Sequence, residues 1–157
     1  MDRSGEDNGG RAMQDLLGAI DDIRTEPYVD NDRLGAVGAS FGGFSVNWLA
    51  GNHEGRFKVF ISHCGVFHEE MMYYTTEEMF FQHWETGGAP WDKDNAVAMK
   101  SYAGSPHHFV QNWDTPIMFT QGEHDYRIPY TQGMAGFNAA QMLGIPSRML
   151  FFPSETH

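Results

Sequence analysis

Ser40 is the centre of the first group of residues whose types and spacing could support chemistry. It lies in Gly38-Ala39-Ser40-Phe41-Gly42, which matches the G-x-S-x-G pattern of a sharp strand-to-helix turn that projects a serine hydroxyl. Gly38, Gly42 and the following Gly43 supply the small neighbours that such a tight turn requires. A serine hydroxyl is a poor nucleophile at neutral pH and needs a base that is itself oriented by a carboxylate. The motif therefore predicts a nucleophilic serine if both partners lie nearby.

Asp125 and His157 are the residues that meet these two needs. Asp125 follows the apolar run 116–120, and His157 follows the run 148–152. Open α/β sheets collect their functional groups beyond the carboxyl ends of the strands. The order Ser, Asp, His along the chain is that of α/β hydrolases. We therefore expect Ser40, Asp125 and His157 to act as nucleophile, orienting acid and general base.

The elements on either side of Ser40 have the order strand, turn, helix. The short apolar run 34–37 precedes the turn, and the stretch 44–50 regains an apolar face after it. A helix that begins at this turn aims its first N–H groups and the positive end of its dipole at the serine. The backbone N–H of Phe41 is therefore predicted to stabilise an oxyanion.

Strand and helix patterns alternate along the rest of the chain. Helical spacing of apolar residues follows Gly10, and a second helical stretch covers residues 130–143. The apolar run 57–61, like the runs before Asp125 and His157, is typical of a buried parallel strand. This alternation favours the α/β class, with a mostly parallel sheet and flanking helices.

The middle stretch, residues 68–112, differs from its surroundings. It is rich in Met, Tyr, Phe, Trp and Glu and contains the turn-prone residues 87–90. We expect helices and loops that lie over the edge of the sheet. Large aromatic side chains usually pack in cores, so plain aromatic packing is the favoured interpretation.

Composition excludes several classes of partner. The 157 residues are 41% hydrophobic and 14% aromatic, which suffices for one globular unit. Twenty-one acidic against ten basic side chains give a formal net charge of -11, which repels nucleic acid. No apolar run reaches the roughly 18 residues of a membrane span, and the polar N-terminus shows no signal segment. We expect neither nucleic acid nor a membrane as a partner.

Cysteine and histidine usage predicts neither a disulfide nor a metal centre. Cys64 is the single cysteine, so it cannot form an intrachain disulfide, and we expect it in the core. None of the histidines apart from His157 follows a ligand spacing such as H-E-x-x-H. We therefore expect no metal and no cofactor. The histidines considered are His63, His68, His107, His108 and His124.

Four segments in combination resemble the prolyl oligopeptidase family of serine peptidases. The likeness runs through nearly the whole chain. The segments are residues 29–35, residues 38–43 with Asn47 and Trp48, residues 122–129, and residues 152–157. Three further stretches are most similar to the bacterial dipeptidyl peptidases of type five, namely residues 76–79, 92–96 and 102–107.

The resemblance implies roles for further residues and an activity. Ser40, Asp125 and His157 match the family's nucleophile, acid and base. Removal of dipeptides from free N-termini, with a hydrophobic residue before the cut, is the implied reaction. A periplasmic or secreted location is also implied, and the resemblance allows a homodimer of the full-length enzyme. Peptides are the expected substrates.

Three residues outside the triad match positions that contact substrate in the family. Arg127, two places after the acid, is expected to hold a substrate backbone carbonyl, a task that suits its fixed fork of donors. Val66 and Phe67, which follow the run 57–61, are expected to form part of the pocket for the side chain before the cut.

The family domain also extends beyond both ends of these residues. It starts upstream with more strands, a second oxyanion donor and usually a β-propeller, and it continues into a final helix. We therefore expect residues 1–157 to be a single incomplete catalytic domain with a partial α/β-hydrolase fold, without the upstream strands and the propeller.

Two other functions stay open at this point. One keeps the fold and the triad but acts on an ester or an acylated amino acid. The other is a catalytically inactive fragment or binding module, in which the hydrolase frame survives without an assembled site. It is motivated by the expected absence of the upstream strands.

Overall fold

A four-stranded parallel sheet forms the centre of the molecule. The computed structural model describes residues 10–157. The strands lie in the order β1-β2-β3-β4, so each strand pairs with its neighbour in sequence. The predicted α/β class and parallel sheet are thereby confirmed. The strands are β1 (Gly35–Ala39), β2 (Val59–His63), β3 (Ile117–Gly122) and β4 (Ser147–Phe152).

Six α-helices and one 3₁₀ helix surround this sheet in the part of the chain that the structure describes. The second helix packs on β1 and β2, and the sixth packs on β3 and β4. None of the helices between residues 10 and 157 has the length and apolarity that a bilayer crossing requires. The helices are α1 (Arg11–Ile23), α2 (Phe41–Ala50), α3 (Glu69–Thr75), α4 (Met79–Thr86), α5 (Ala96–Ala103), the 3₁₀ helix (Pro106–Asn112) and α6 (Thr131–Met142).

The register of the strands brings their carboxyl ends to one edge. Ala39 lies opposite His63, and His63 lies opposite Thr120. Gly122 lies opposite Phe152. Because all four strands run in the same direction, the residues that follow them meet at this edge of the sheet.

The main core lies between the sheet and its packed helices. Phe60 and Phe119 project from β2 and β3 and are almost fully buried, as are Phe44 of α2 and Met13 of α1. Each such side chain stabilises the fold by about 1.5–3 kcal/mol relative to an exposed position. The amphipathic pattern of α1 is explained by Met13, which lies in this core.

The middle stretch forms a smaller cluster of its own. Tyr73 and Tyr102 are buried there with Ala98, as the packing interpretation expects. Phe80, however, is 89% exposed, and Trp84 is 76% exposed. Aromatic packing therefore accounts for only part of this stretch, since these α4 side chains project away from both clusters.

Candidate active site

The turn between β1 and α2 holds Ser40 in an unusual backbone conformation. Its φ is 58° and its ψ is -119°, a region that a residue with a side chain rarely adopts. The Ser40 N–H donates to the His63 carbonyl at 3.0 Å, and the Ser40 carbonyl accepts from the Phe44 N–H at 2.9 Å. These bonds offset a strain of about 1–3 kcal/mol and project the hydroxyl from the edge of the sheet.

Of the three glycines predicted to be required around Ser40, two are required by close backbone contact, whereas a Cβ on Gly42 would meet nothing within 4 Å, so that prediction is wrong for Gly42. A Cβ on Gly38 would collide with the backbone of Gly42. A Cβ on Gly43 would lie 2.6 Å from the Cα of Gly65 and 2.7 Å from the His63 carbonyl oxygen. The first turn of α2 therefore lies directly against the loop that follows β2, which fixes the place of Ser40.

His157 connects Ser40 to Asp125. The Nε2 of His157 is 3.0 Å from the Ser40 Oγ, and its Nδ1 is 2.8 Å from the Asp125 Oδ2. The His157 side chain is 22% exposed, whereas that of Asp125 is fully buried. An imidazole in this arrangement can take a proton from the serine while the carboxylate stabilises its positive charge.

Backbone bonds hold the segment that ends in His157 against the loop after β3. The Glu123 N–H donates to the Phe152 carbonyl at 2.9 Å, and the His124 N–H donates to the Glu155 carbonyl at 3.0 Å. Gly122 lies so close to the Glu155 backbone that a Cβ would not fit. His157 is therefore positioned by the same loop that carries Asp125.

Asp125 accepts hydrogen bonds on both carboxylate oxygens. The Ile128 N–H donates to Oδ1 at 2.8 Å, and the Gln121 Nε2 donates to Oδ2 at 3.2 Å beside His157. Gln121 also donates to the Ile128 carbonyl at 3.1 Å. Sequence reasoning missed both partners. The sequence did contain one indication of Gln121, because it directly follows an apolar run and a buried amide needs a hydrogen-bond partner.

Phe41 is the first residue of α2. Its N–H therefore has no acceptor within the helix and lies one residue beyond Ser40. The Phe41 ring is exposed and stacks on Phe44 with the ring centroids 5.7 Å apart.

A cavity of about 190 Å³ opens beside Ser40. Val66 lines it, together with side chains of α2, α3 and α4. Arg127 also lines it and donates to the Glu78 carboxylate at 2.8 Å.

Phe67 lies on the other side of its loop, in the core. Its ring packs against Trp113 with the centroids 5.8 Å apart, and it does not line the cavity. The reason is that Gln132 accepts the N–H groups of both Phe67 and His68, which turns the Phe67 side chain inward.

A family model described as the prolyl oligopeptidase family matches residues 1–157. The chain belongs to this family. The resemblance that the four sequence segments carry is thereby confirmed, and the parallel sheet with a partly buried serine at its carboxyl edge is the family's α/β-hydrolase core.

Individual relatives narrow the position of the chain within the prolyl oligopeptidase family. Dipeptidyl-peptidase 5 of Porphyromonas gingivalis is 59% identical over 96% of this chain, which corresponds to 22% of the relative. Dipeptidyl-peptidase 5 of Schizosaccharomyces pombe is 37% identical over 96% of the chain and again 22% of the relative. The chain thus spans about a fifth of the length of the curated relatives it matches.

A solved structure shows the same fold. The acylaminoacyl peptidase of Pyrococcus horikoshii superposes with a TM-score of 0.84 at 27% identity, over 97% of this chain and 24% of that one. Members of the family with different names therefore share the arrangement of strands and helices found here.

Cys64 is buried, as expected, and lies close to Asp125 and His157. Its Sγ and the nearest donor atoms of Asp125 and His157 all fall within 4.8 Å of one another, so these three residues could together hold a metal ion. Burial, and then the neighbouring Asp125 carboxylate, raise the pKa of the Cys64 thiol to about 12. The thiol is therefore neutral at physiological pH.

Proposed function

We propose that this chain carries the catalytic residues of a serine peptidase that releases dipeptides from the free N-termini of peptides. The observation that carries the proposal is the pair of hydrogen bonds from Ser40 through His157 to Asp125. The name of the P. gingivalis relative, dipeptidyl-peptidase 5, supports the type of product.

In the proposed reaction, the Ser40 Oγ attacks the peptide carbonyl as His157 Nε2 takes the hydroxyl proton. Asp125 accepts the bond from Nδ1–H and stabilises the imidazolium. The backbone N–H of Phe41 donates to the oxyanion. When the C–N bond breaks, Nε2 returns its proton to the leaving amine. A water then attacks the acyl-enzyme, His157 takes its proton, and the Ser40 hydroxyl forms again.

The cavity beside Ser40 is proposed to hold the substrate side chain before the cut. Phe44, Val66, Met72 and Ile128 line it, which supports a hydrophobic preference. Arg127, at its rim, is proposed to hold a substrate carbonyl while the Glu78 carboxylate orients its guanidinium.

The test is the reaction of the protein, expressed from its complete gene, with a fluorophosphonate and with dipeptide substrates. Ser40→Ala should abolish labelling and lower kcat/KM by at least about 10³-fold, because no other group replaces the nucleophile. Ser147→Ala, at the start of β4, is the matched control and should behave as wild type. A Ser40→Ala protein that keeps most of its activity contradicts the proposal.

An acylaminoacyl peptidase is the second candidate. It is favoured by the close superposition on the P. horikoshii enzyme. Paired substrates that differ only in a free or an acetylated N-terminus separate the two candidates. Faster turnover of the acetylated member would replace dipeptide release by removal of acylated amino acids.

The location and the assembly of the protein stay predictions. A periplasmic or secreted protein should appear in the corresponding fraction after cell fractionation. A homodimer should give twice the protomer mass in light scattering.

A protein without Ser40-dependent labelling would favour the third function, the inactive binding module.

A further inference from the structure

Gln121 is a fully buried amide beside the proposed catalytic acid. It lies in β3, next to the last residue of the strand, and is 0% exposed. No step of the proposed reaction uses it. Buried polar atoms almost always have a hydrogen-bond partner, so an amide in such a place needs an explanation atom by atom.

The amide nitrogen of Gln121 uses both of its hydrogens. Nε2 donates to the Asp125 Oδ2 at 3.2 Å and to the Ile128 carbonyl at 3.1 Å. An amide nitrogen carries two N–H donors, so its capacity is filled. Both partners are acceptors. The amide therefore cannot be turned over, because its oxygen would then face two other oxygens.

The amide oxygen of Gln121, in contrast, has no hydrogen-bond partner among the described residues 10–157. It lies against Gly133 of α6, where an added Cβ would be 3.0 Å away. A buried acceptor without a partner destabilises a folded protein, whereas an apolar side chain of similar shape, such as methionine, carries no such penalty. The stability of the fold alone therefore does not account for an amide here.

The bonds of Gln121 close a ring around the Asp125 carboxylate. Ile128 donates from its N–H to Oδ1 at 2.8 Å and accepts from Gln121 at its carbonyl. Gln121 donates to Oδ2, the oxygen that lies 2.8 Å from the His157 Nδ1. Rotation of the carboxylate would break the bonds to Ile128 and Gln121 together. Oδ2 is therefore held towards His157.

Gln121 holds this oxygen without cancelling its charge. The Asp125 carboxylate has to stabilise the imidazolium that forms when His157 takes the Ser40 proton. A lysine or an arginine in place of Gln121 would bind the carboxylate but would also neutralise it and repel the imidazolium. An amide donates to the ionised carboxylate and stays neutral. Its chemistry therefore suits a group that orients the acid.

We propose that Gln121 is a positioning residue for the reaction of Ser40. It acts through Asp125, whose Oδ2 it fixes at the His157 Nδ1, and it does not line the cavity that would hold a substrate side chain. This inference rests on the proposed peptidase function and deepens it. A misplacement of about 1 Å in a catalytic group can lower the rate about 10²-fold, so loss of this bond should be visible in kcat.

The test replaces the amide by an apolar side chain of similar shape. In the protein expressed from its complete gene, Gln121→Met should lower kcat on dipeptide substrates about 10- to 100-fold and leave KM within about twofold, because the cavity wall is unchanged. Urea unfolding shows whether the variant is folded. Gln141→Met is the matched control, since it removes an Nε2 donor from an exposed amide of α6, and it should keep the wild-type kcat.

A double-mutant cycle separates positioning of the acid from a general structural role. If Gln121 acts through the Asp125 carboxylate, Gln121→Met should lower activity by less than about twofold in a protein that already carries Asp125→Ala. A purely structural role would give the same loss in both backgrounds. Where turnover is too slow, the rate at which a fluorophosphonate labels Ser40 supplies the measurement.

Gln121→Leu carries the test if Gln121→Met does not fold, because it removes the same two donors with a different apolar shape. The inference is overturned if the folded variant keeps the wild-type kcat, or if its effect falls on KM and not on kcat. A loss that is equally large in the Asp125→Ala background also overturns it.

Failure of the peptidase proposal gives a different result. If no peptide is cleaved but the fluorophosphonate labels Ser40, peptidase activity is excluded. The labelling rates of the wild type and of the Gln121 and Asp125 variants then test the positioning role through the same cycle. Absence of any Ser40-dependent labelling overturns both proposals.

Discussion

The carboxyl edge of the sheet and the helices α3 and α4 contribute to the same cavity but are built differently. At the edge, backbone lies against backbone, as at Gly43 and Gly65, and main-chain bonds hold Ser40. In the helices, side chains make the contacts, as where Gln82 meets Glu69, and Phe80 is left exposed. Positions of reacting atoms are thus fixed by the main chain, whereas the cavity wall depends on exchangeable side chains.

The largest effect on activity is expected at Asp125, the charged residue of this rigid edge. Asp125→Asn should lower kcat about 10⁴-fold with little change in KM, because the amide cannot stabilise the imidazolium and changes which nitrogen of His157 carries the proton. Steady-state kinetics on dipeptide substrates measures this. Asp114→Asn, which changes an exposed aspartate beside His53, is the control and should leave kcat unchanged. A similar loss in both variants would mean that Asp125 has no special role.

The next effect tests the contact between backbones. Gly43→Ala should destabilise the fold by about 3 kcal/mol or more, since its Cβ would lie 2.6 Å from the Gly65 Cα and neither backbone can move aside cheaply. Urea unfolding measures the loss. Gly42→Ala is the same change one residue earlier, where a Cβ meets nothing within 4 Å. It should be neutral or stabilise by up to about 1 kcal/mol. Equal losses of stability in Gly43→Ala and Gly42→Ala would show that close contact between backbones does not determine the stability of the carboxyl edge.

A smaller and pH-dependent effect is expected in the helices. Burial raises the pKa of Glu69 in the folded protein to about 7, above its ordinary value of 4.5, so the folded state keeps a proton that the unfolded state loses. Stability from this group is full below pH 4.5 and is lost as the pH rises to about 7.

Glu69→Gln removes this loss because the amide does not ionise. The variant should exceed the wild type by about 3 kcal/mol at pH 8, and by progressively less as the pH falls towards 4.5. Urea unfolding at several pH values measures the difference, with Glu70→Gln as the control. A gain of the same size at every pH would mean that packing and not charge is responsible.

The smallest effect is expected at the exposed face of α4. Phe80→Gln should change the free energy of unfolding by less than about 0.5 kcal/mol, because 89% of the residue is already exposed. The matched core change, Phe60→Ala, should cost about 3–5 kcal/mol. Thermal and urea unfolding compare the two. A marked loss for Phe80→Gln would show that this face is covered in the folded protein.

The difference between main-chain contacts at the edge of the sheet and side-chain contacts in the helices also explains which features the sequence could predict. The alternation of strand and helix patterns correctly predicted the α/β class. The ends of the apolar runs predicted that Ser40, Asp125 and His157 each follow a strand and lie at one edge of the sheet, which is where the structure places them. The strand bounds differ by a few residues. For β1 the apolar run ended at Val37, yet pairing continues to Ala39, because a small residue gives no hydropathy signal but still forms a ladder.

The cavity wall was not predictable to the same degree. Glu69 looks like a surface residue at the start of a helix, and only its contact with Gln82, 13 positions later, reveals that it is buried. Phe67 was assigned to the pocket with Val66, but the bond to Gln132, 65 positions away, turns it inward. Local patterns carry no information on such long-range side-chain pairs.

The short bond between the Ile128 N–H and the Asp125 Oδ1 makes one backbone amide a spectroscopic reporter. The donor is 2.8 Å from a carboxylate oxygen and belongs to a residue that is 4% exposed. Its proton should therefore resonate far downfield in an NMR spectrum and exchange slowly with solvent deuterium. A change in the charge of Asp125 would shift that resonance, so the state of the acid is visible without a substrate and without any turnover.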